Sequence, residues 1–200
     1  LGIGQGYNAF TILQLAHATA TLANNGVVMK PHLVKAIEDP RTGKRELTVR
    51  GESYRIALKQ ENLEVIKRGL IGVNKEGTSA RAFLGAEYVA AGKTGTSQLF
   101  QIKQGETYNA ARVHERLRDH ALYMAFAPAD NPRIAIAMIV ENGGFGAAAA
   151  APIARKAFDY YLLGKLPSGE EKEDEKIETE QDNSLPAEPN PFEMRPEGEQ

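Results

Sequence analysis

The sequence predicts an α+β fold, an antiparallel sheet flanked by helices, and three observations carry that prediction. Residues 122–128 and 133–141 are apolar at nearly every position, with Asp130-Asn131-Pro132 between them as a turn. Such segments read as adjacent strands covered on both faces. Apolar residues recur at helical spacing both before and after this pair, and helices on either side of a run of neighbouring strands pack onto the faces of an antiparallel sheet.

Thr11-Ile12-Leu13-Gln14 has the form of a capping box, in which the Thr hydroxyl and the Gln amide satisfy opposite ends of the first turn. Leu13, Ala16, Ala20 and Ala23 follow at helical spacing and Asn25-Gly26 supplies a left-handed exit, so a helix is expected over about 12–24. Residues 31–37 read as a short strand ended by Asp39-Pro40, and 47–49 and 54–58 as two more. Over 62–73, Leu63, Ile66, Leu70 and Val73 form one stripe while Lys67 and Arg68 point away, an amphipathic helix. Gly77-Thr78 breaks it, and Thr78 is expected to cap a short third helix through 81–83. Val89-Ala90-Ala91 opens an extended segment that runs into Gly92-Lys93-Thr94-Gly95-Thr96. Residues 98–119 are polar and aperiodic, too long for an ordinary hairpin loop. Pro152 suits the first turn of a last helix with Ile153, Phe158, Tyr161 and Leu162 on its apolar face.

Hydrophobic residues make up 42% and charged residues 25%, the balance of a soluble globular chain. With no cysteine, disulfides and thiolate metal sites are excluded. No apolar run is long enough to cross a bilayer. The chain opens on Leu1-Gly2-Ile3-Gly4, which reads as the interior of something longer, so any anchor is expected upstream. The net charge of −2 joins two unlike regions: residues 165–200 hold 12 acidic and 4 basic side chains, a balance of −8, which leaves +6 for the rest. Two regions are therefore expected, 1–164 as the folded part and 165–200 as an acidic, proline-rich, disordered tail. The small basic excess does not point to nucleic acid.

Lys93-Thr94-Gly95-Thr96 carries the chemistry. A strand edge of small residues lets an extended peptide pair with its backbone, and a glycine there admits a close approach. Two hydroxyls and an ammonium suit a carboxylate, and a backbone N–H at Thr96 suits an oxyanion hole.

The wider sequence then becomes specific. Gly2-Ile3-Gly4-Gln5-Gly6-Tyr7, Thr11, Gln14-Leu15-Ala16 and Ala23-Asn24-Asn25-Gly26 precede the strand. Gly92-Lys93-Thr94-Gly95-Thr96-Ser97-Gln98 forms it, and Glu106-Thr107-Tyr108-Asn109-Ala110, Glu115-Arg116-Leu117-Arg118-Asp119-His120, Ala125-Phe126-Ala127-Pro128 and Glu141-Asn142-Gly143-Gly144 follow. Together these resemble the C-terminal half of the transpeptidase domain of class B, monofunctional penicillin-binding proteins, and within them the elongation-type penicillin-binding protein 2 group of Gram-negative bacteria. The resemblance covers about residues 1–163. One departure is Ile12, where relatives often place proline, a detail of the helix start.

The resemblance implies the penicillin-recognising serine transpeptidase (β-lactamase-like) fold and transfer of an acyl group from D-Ala-D-Ala stem peptides. Lys93 and Thr96 would be catalytic, Lys93 steadying the proton relay and the Thr96 amide completing the oxyanion hole. Thr94 and Thr96 would bind the peptide carboxylate or its β-lactam equivalent, Gly95 would give access, and Ser97 and Tyr108 would complete the substrate-binding set. None of Ser53, Ser79, Ser97, Ser168 and Ser184 begins Ser-x-x-Lys or Ser-x-Asn, so the nucleophile and the middle motif are expected upstream. The implied partners are stem peptides, β-lactams, a membrane-embedded glycan polymerase with the elongation machinery, and the upstream half of the same domain. Attachment to the inner membrane, facing the periplasm, is implied too. No cofactor and no metal are implied. Two alternatives stay open: a carboxypeptidase or β-lactamase of the same fold, and a non-catalytic scaffold.

His114 and His120 have no metal-ligand companion at a recognisable spacing, so loop anchoring is the expectation for them, and structural roles for His17 and His32. Arg112, Arg116 and Arg118 with Glu115 and Asp119 read as a solvated charged loop or as a strap before the next strand. Ala147–Ala151 reads as small residues that let a helix approach the sheet.

Overall fold

The structure, a computed structural model, describes residues 9–48, 51, 53–99 and 113–166. The Gly2–Tyr7 run, loop residues 100–112 with Tyr108, and the acidic stretch from 167 onward lie outside the described residues.

Helix α1 (Ile12–Ala23) begins on the expected capping box: the Gln14 N–H donates to Thr11 Oγ1 at 3.2 Å and the Thr11 N–H to Gln14 Oε1 at 2.8 Å. Asn25 (φ 53°) and Gly26 (φ 87°) turn the chain out of the helix. A Cβ on Gly26 would lie 2.8 Å from the Ile56 carbonyl, so glycine is required both by the left-handed backbone and by the neighbouring strand. Strands β1 (Val27–Val28), β2 (Ala36–Glu38), β3 (Arg45–Leu47) and β4 (Tyr54–Arg55) pair as two antiparallel ribbons, β1 with β4 and β2 with β3. The sequence does not predict β1; β2 and β4 are shorter than predicted, and β3 lies two residues before the predicted 47–49, of which Val49 is outside the described residues. Residues 31–34 lie outside the β2–β3 ladder, and the carbonyl of Lys35 first meets the opposite chain, accepting from the Thr48 N–H at 2.9 Å.

Helix α2 (Gln60–Lys75) and the short α3 (Ala80–Phe83) lead into β5 (Ala91–Ser97). A 3-10 turn at Glu115–Leu117 precedes β6 (His120–Ala127), β7 (Ile134–Val140), α4 (Gly146–Ala149) and α5 (Ala151–Leu163). The three long strands form one antiparallel sheet in the order β5-β6-β7, with Lys93 opposite Met124, Thr94 opposite Tyr123, Gly95 opposite Leu122 and Thr96 opposite Ala121. The α+β expectation is met, with helices on both faces.

Side chains alternate across the central strand. Ala121, Tyr123, Ala125 and Ala127 pack with Phe83, Ala150, Ala151, Ala154 and Phe158 of the α3–α5 layer. Phe126 turns to the other face, where it packs with Ala91 of β5 and with Ala23, Leu70 and Ile71 of the α1–α2 layer. Arg155 of α5 ties the segment before β5 to this frame. Its Nε donates to both carboxylate oxygens of Asp159 at 2.8 Å, and its other nitrogens reach the Leu84 and Gly85 carbonyls at 3.2 and 3.4 Å. The Tyr88 hydroxyl donates to Asp159 at 2.8 Å. Burial, then the adjacent carboxylate, pushes the Tyr88 phenol well above its usual range.

Three expectations need correction. Of the stripe predicted for α2, Leu63 is buried and Leu70 packs on the Phe126 cluster, but Ile66 is 48% exposed, and Ile71 and Asn74 join the inward face. Lys67 points in rather than away. Its ammonium donates to the Ala23 carbonyl at 3.0 Å and to Asn25 Oδ1 at 2.7 Å, and it lies 5.8 Å from the centre of the Phe126 ring. Its head caps the C-terminal end of α1 while its stem lies on apolar surface. In α5, Phe158 is buried and Leu162 packs on the core as predicted, whereas Ile153 and Tyr161 are exposed and Ala151 and Ala154 are buried in their stead; these small side chains let the helix come close. Finally, Thr78 does not cap α3. The N-cap is Ser79, with no side-chain cap bond, because the Thr78 hydroxyl is engaged elsewhere.

Candidate active site

The Lys93–Thr96 segment lies on an edge of the sheet. β6 pairs with β5 on one side, and among the described residues no strand lies on the other. Such an edge offers backbone donors and acceptors to an extended chain. Strand alternation puts Thr94 and Thr96 on the α3–α5 face, opposite Tyr123 and Ala121, and Lys93, Gly95 and Ser97 on the other. Lys93 is exposed and turns its ammonium back to the Thr94 carbonyl at 2.8 Å, so its charge stays beside the strand. The Thr94 hydroxyl pairs with the Thr78 hydroxyl at 3.0 Å. Two hydroxyls in mutual contact retain one free proton and further lone pairs between them, a local arrangement suited to an anionic oxygen beside a lysine.

The strand is held tightly around Gly95. A Cβ there would press the Leu122 side chain at 3.1 Å, and a Cβ on Gly146 would meet the Leu122 carbonyl at 2.2 Å and the Gly95 carbonyl at 2.6 Å. Gly146, one residue before the predicted small-residue run, thus lets the start of α4 lie directly on the backbone of β5 and β6. Beneath Gly92 the Tyr123 hydroxyl donates to Asn74 Oδ1 at 2.6 Å, and Asn74 Nδ2 donates to the Ala90 carbonyl at 3.0 Å. Burial pushes the Tyr123 phenol up to about 12, with the adjacent Ser79 and Asn74 side chains pulling the other way. Ser79 Oγ is itself buried and makes no hydrogen bond of its own.

At the far end of β5, Ser97 lies opposite His120. His120 Nδ1 accepts from the Asn142 N–H at 2.9 Å, Asn142 Nδ2 donates to the Arg118 carbonyl at 3.0 Å, and the Gly144 N–H donates to the Asp119 carbonyl at 2.9 Å. These bonds lash the chain entering β6 to the turn after β7. Asp119 is buried, which pushes its carboxyl above the usual carboxylate range against the pull of His120. His114 Nδ1 accepts from the Arg116 N–H at 3.3 Å and anchors the 3-10 turn. His17 Nε2 and His32 Nδ1 contact the Met29 and Val34 carbonyls at 2.7 and 2.9 Å, structural roles as expected. Among the described residues no three acidic or histidine side chains come together to hold a metal.

Comparison with known proteins decides the family. The model of the penicillin binding protein transpeptidase domain matches residues 1–159. This chain belongs to that family. It is 43% identical over 200 residues to the peptidoglycan D,D-transpeptidase MrdA of Haemophilus influenzae, covering 92% of this chain and 29% of the relative. The crystal structure of Pseudomonas aeruginosa PBP2 in complex with WCK 5153 superposes with a TM-score of 0.64 at 35% identity, covering 86% of this chain and 33% of that one. The PBP2 of Helicobacter pylori, solved in complex with MreC, superposes with a TM-score of 0.57 at 25% identity, covering 82% and 27%. The chain therefore spans about a third or less of the length of these relatives.

Of the residues singled out in the sequence of this transpeptidase segment, Lys93, Thr94, Gly95, Thr96 and Ser97 fall together on β5, and Tyr108 lies outside the described residues. Sequence reasoning does not find Thr78, Asn74, Tyr123 or Gly146. The hydroxyl pair Thr78-Ser79 after a glycine, and a polar Asn74 one turn beyond Leu70, are the signals that mark the first two.

Proposed function

We propose that this chain supplies the Lys93–Thr96 wall of a peptidoglycan D,D-transpeptidase whose Ser-x-x-Lys nucleophile and Ser-x-Asn or Ser-x-Asp motif come from outside residues 1–200. The observation that carries the reading is the open edge of β5, with the Thr94–Thr78 hydroxyl pair and the Lys93 ammonium on it. The serine attacks the penultimate D-alanine carbonyl of a stem peptide and D-alanine leaves as the free amino acid; an amine of a neighbouring stem then takes the acyl group and frees the serine. Thr94 and Thr96 hold the terminal carboxylate of the donor, Lys93 supplies charge to it and to the proton relay, and the Thr96 amide donates to the oxyanion. Gly95 keeps the strand narrow for the incoming backbone, and Ser97 and Tyr108 line the cleft. A β-lactam, with a carboxylate next to its strained amide, occupies the same place.

The wider context follows the same reading. Family membership supports penicillin binding, and the MreC complex of the Helicobacter pylori relative supports partners in the elongation machinery, including a glycan polymerase in the membrane. No described helix is long and apolar enough to cross a membrane; the domain is proposed to face the periplasm from an inner-membrane anchor outside this chain.

Labelling of the complete protein by a fluorescent penicillin tests the reading. Lys93→Ala abolishes acylation, and undiminished labelling of that variant removes Lys93 from the site. Thr94→Ala slows acylation by the equivalent of about 1.5–3 kcal/mol, the scale of a hydrogen bond to a charged group; a rate within about twofold of the parent excludes Thr94. Product analysis with stem peptides separates transfer from hydrolysis: cross-linked dimers support the transpeptidase, and only shortened monomers make it a carboxypeptidase.

A further inference from the structure

Tyr123 stands directly across the ladder from Thr94 and shares its face of the sheet. Its ring does not stay beside Thr94. It runs back along the strand to Gly92, where a Cβ would lie 2.4 Å from its hydroxyl oxygen and 2.8 Å from Cζ. There the hydroxyl donates to Asn74 at 2.6 Å, and Asn74 in turn donates to the carbonyl of Ala90, just ahead of β5. Asn74 is in the last turn of α2, and the chain beyond it folds back at once. The Gly77 N–H bonds the Gly72 carbonyl at 2.9 Å and the Ser79 N–H the Val73 carbonyl at 3.0 Å. Within that turn a Cβ at Gly77 would lie 2.7 Å from the Val73 Cα, so the bend is as tight as glycine allows. Thr78, at its tip, reaches the Thr94 hydroxyl at 3.0 Å.

The contacts close a ring: Tyr123 to Asn74, through the turn to Thr78, to Thr94, and across the ladder to Tyr123. Tyr123 and Asn74 are 2% and 6% exposed, and the Phe83 ring stacks on Tyr123 with centroids 6.1 Å apart, so neither end can slip. A simple packing role needs no hydroxyl at Tyr123 and no amide at Asn74. Burying both is worthwhile only with each partner in place.

We infer that Tyr123 and Asn74 are positioning residues for carboxylate recognition: their buried hydrogen bond sets the height of the 76–79 turn and so aims the Thr78–Thr94 hydroxyl pair at the substrate's terminal carboxylate. This rests on the transpeptidase reading and deepens it by assigning part of its specificity to residues that touch no substrate.

The test is a double-mutant cycle on the complete protein, read by the second-order rate of acylation with fluorescent penicillin and by Tm. Tyr123→Phe keeps the ring and removes the hydroxyl, and slows acylation about fivefold, within the span of one hydrogen bond's net worth. Asn74→Ala acts in the same direction and guards against an idiosyncrasy of one variant. If the two residues act through Thr94, the Tyr123→Phe loss shrinks to less than about twofold in a Thr94→Val background, the non-additivity of residues in one network, while Tm shows that each variant is folded. An equal loss in both backgrounds, or no loss in either single variant with the parent labelled normally, overturns the inference and leaves the transpeptidase reading standing. A parent protein that fails to label at all overturns the transpeptidase reading itself.

Discussion

Gly92 precedes the lysine of the Lys93–Thr96 segment and has no chemistry of its own, yet the space it leaves is filled by another residue's polar atom. A methyl group there would meet the Tyr123 hydroxyl at 2.4 Å and the Ala125 Cβ at 3.0 Å. Tyr123 cannot retreat, with Phe83 stacked on its ring and Asn74 on its hydroxyl. Gly92→Ala is therefore an overpacking change, expected to cost about 1–3 kcal/mol of stability and to break the Tyr123–Asn74 bond. Denaturant unfolding checks it, and a midpoint unchanged from the parent contradicts the packing described for this corner. The same residues show why one part of the site was legible and another was not. Lysine, hydroxyls and glycine in four consecutive positions announce anion binding in a single line of sequence. Thr78, Asn74 and Tyr123 belong to the same corner but come from three elements, and only the fold brings them together. Asn74 alone looks like a surface residue of an amphipathic helix, and Tyr123 like one more apolar residue of a buried strand.

Among the elements, those whose signals are local came out as the sequence predicts. The capping box at Thr11 and Gln14 starts α1, the Asn25-Gly26 exit ends it, and the two apolar runs are the paired strands β6 and β7. The existence of α2 and α5 was equally legible; which residues of each face inward was legible only in part, at Leu63, Leu70, Phe158 and Leu162. For α2 the choice turns on Lys67. A cation is assigned outward by polarity alone, but the Ala23 carbonyl at the end of α1, the Asn25 side-chain oxygen and the face of Phe126 offer it three contacts that no pattern within α2 reveals. Desolvation lowers its pKa, the mark of a charge drawn partly under the surface. For α5 size alone does not mark the contact. Phe158 is buried but Tyr161 and Ile153 are exposed, and Ala151 and Ala154 fill the rest, since the helix lies close to a sheet whose own facing residues, Ala121, Ala125 and Ala127, are small. The strands expected over 31–37 and 54–58 were overextended because β2 and β4 each pair with one short neighbour only, and a ribbon ends where its partner does.

The molecule as a whole is a sheet held between two helical layers, and each layer holds the Lys93–Thr96 strand through a different device: α4 by the bare backbone of Gly146, α2 by Asn74, which bonds the Ala90 carbonyl just ahead of β5 and the Tyr123 hydroxyl of β6. The second device has a signature in the global stability. The Tyr123 phenol is held neutral by burial, its pKa raised from 10.0 to about 12 in the folded state. A group whose proton is bound more tightly in the folded state contributes its full stability below the unfolded pKa and loses it as pH climbs toward the folded one. Tyr123 thus stabilises fully up to about pH 10, and between there and about pH 12 unfolding is increasingly favoured, by up to roughly 2–3 kcal/mol for a two-unit shift. Tyr88, raised by its own burial beside Asp159, acts with the same sign in the same window, so the parent alone cannot apportion the slope. Tyr123→Phe separates the two: it leaves Tyr88 in place and removes the proton at issue. Thermal unfolding of the complete protein followed from pH 9 to pH 11.5 should fall more steeply in the parent than in Tyr123→Phe, the two curves drawing together as the pH rises. Parallel curves would mean that the phenol ionises as freely in the folded protein as in the unfolded chain, and that the hydroxyl beneath Gly92 is open to water.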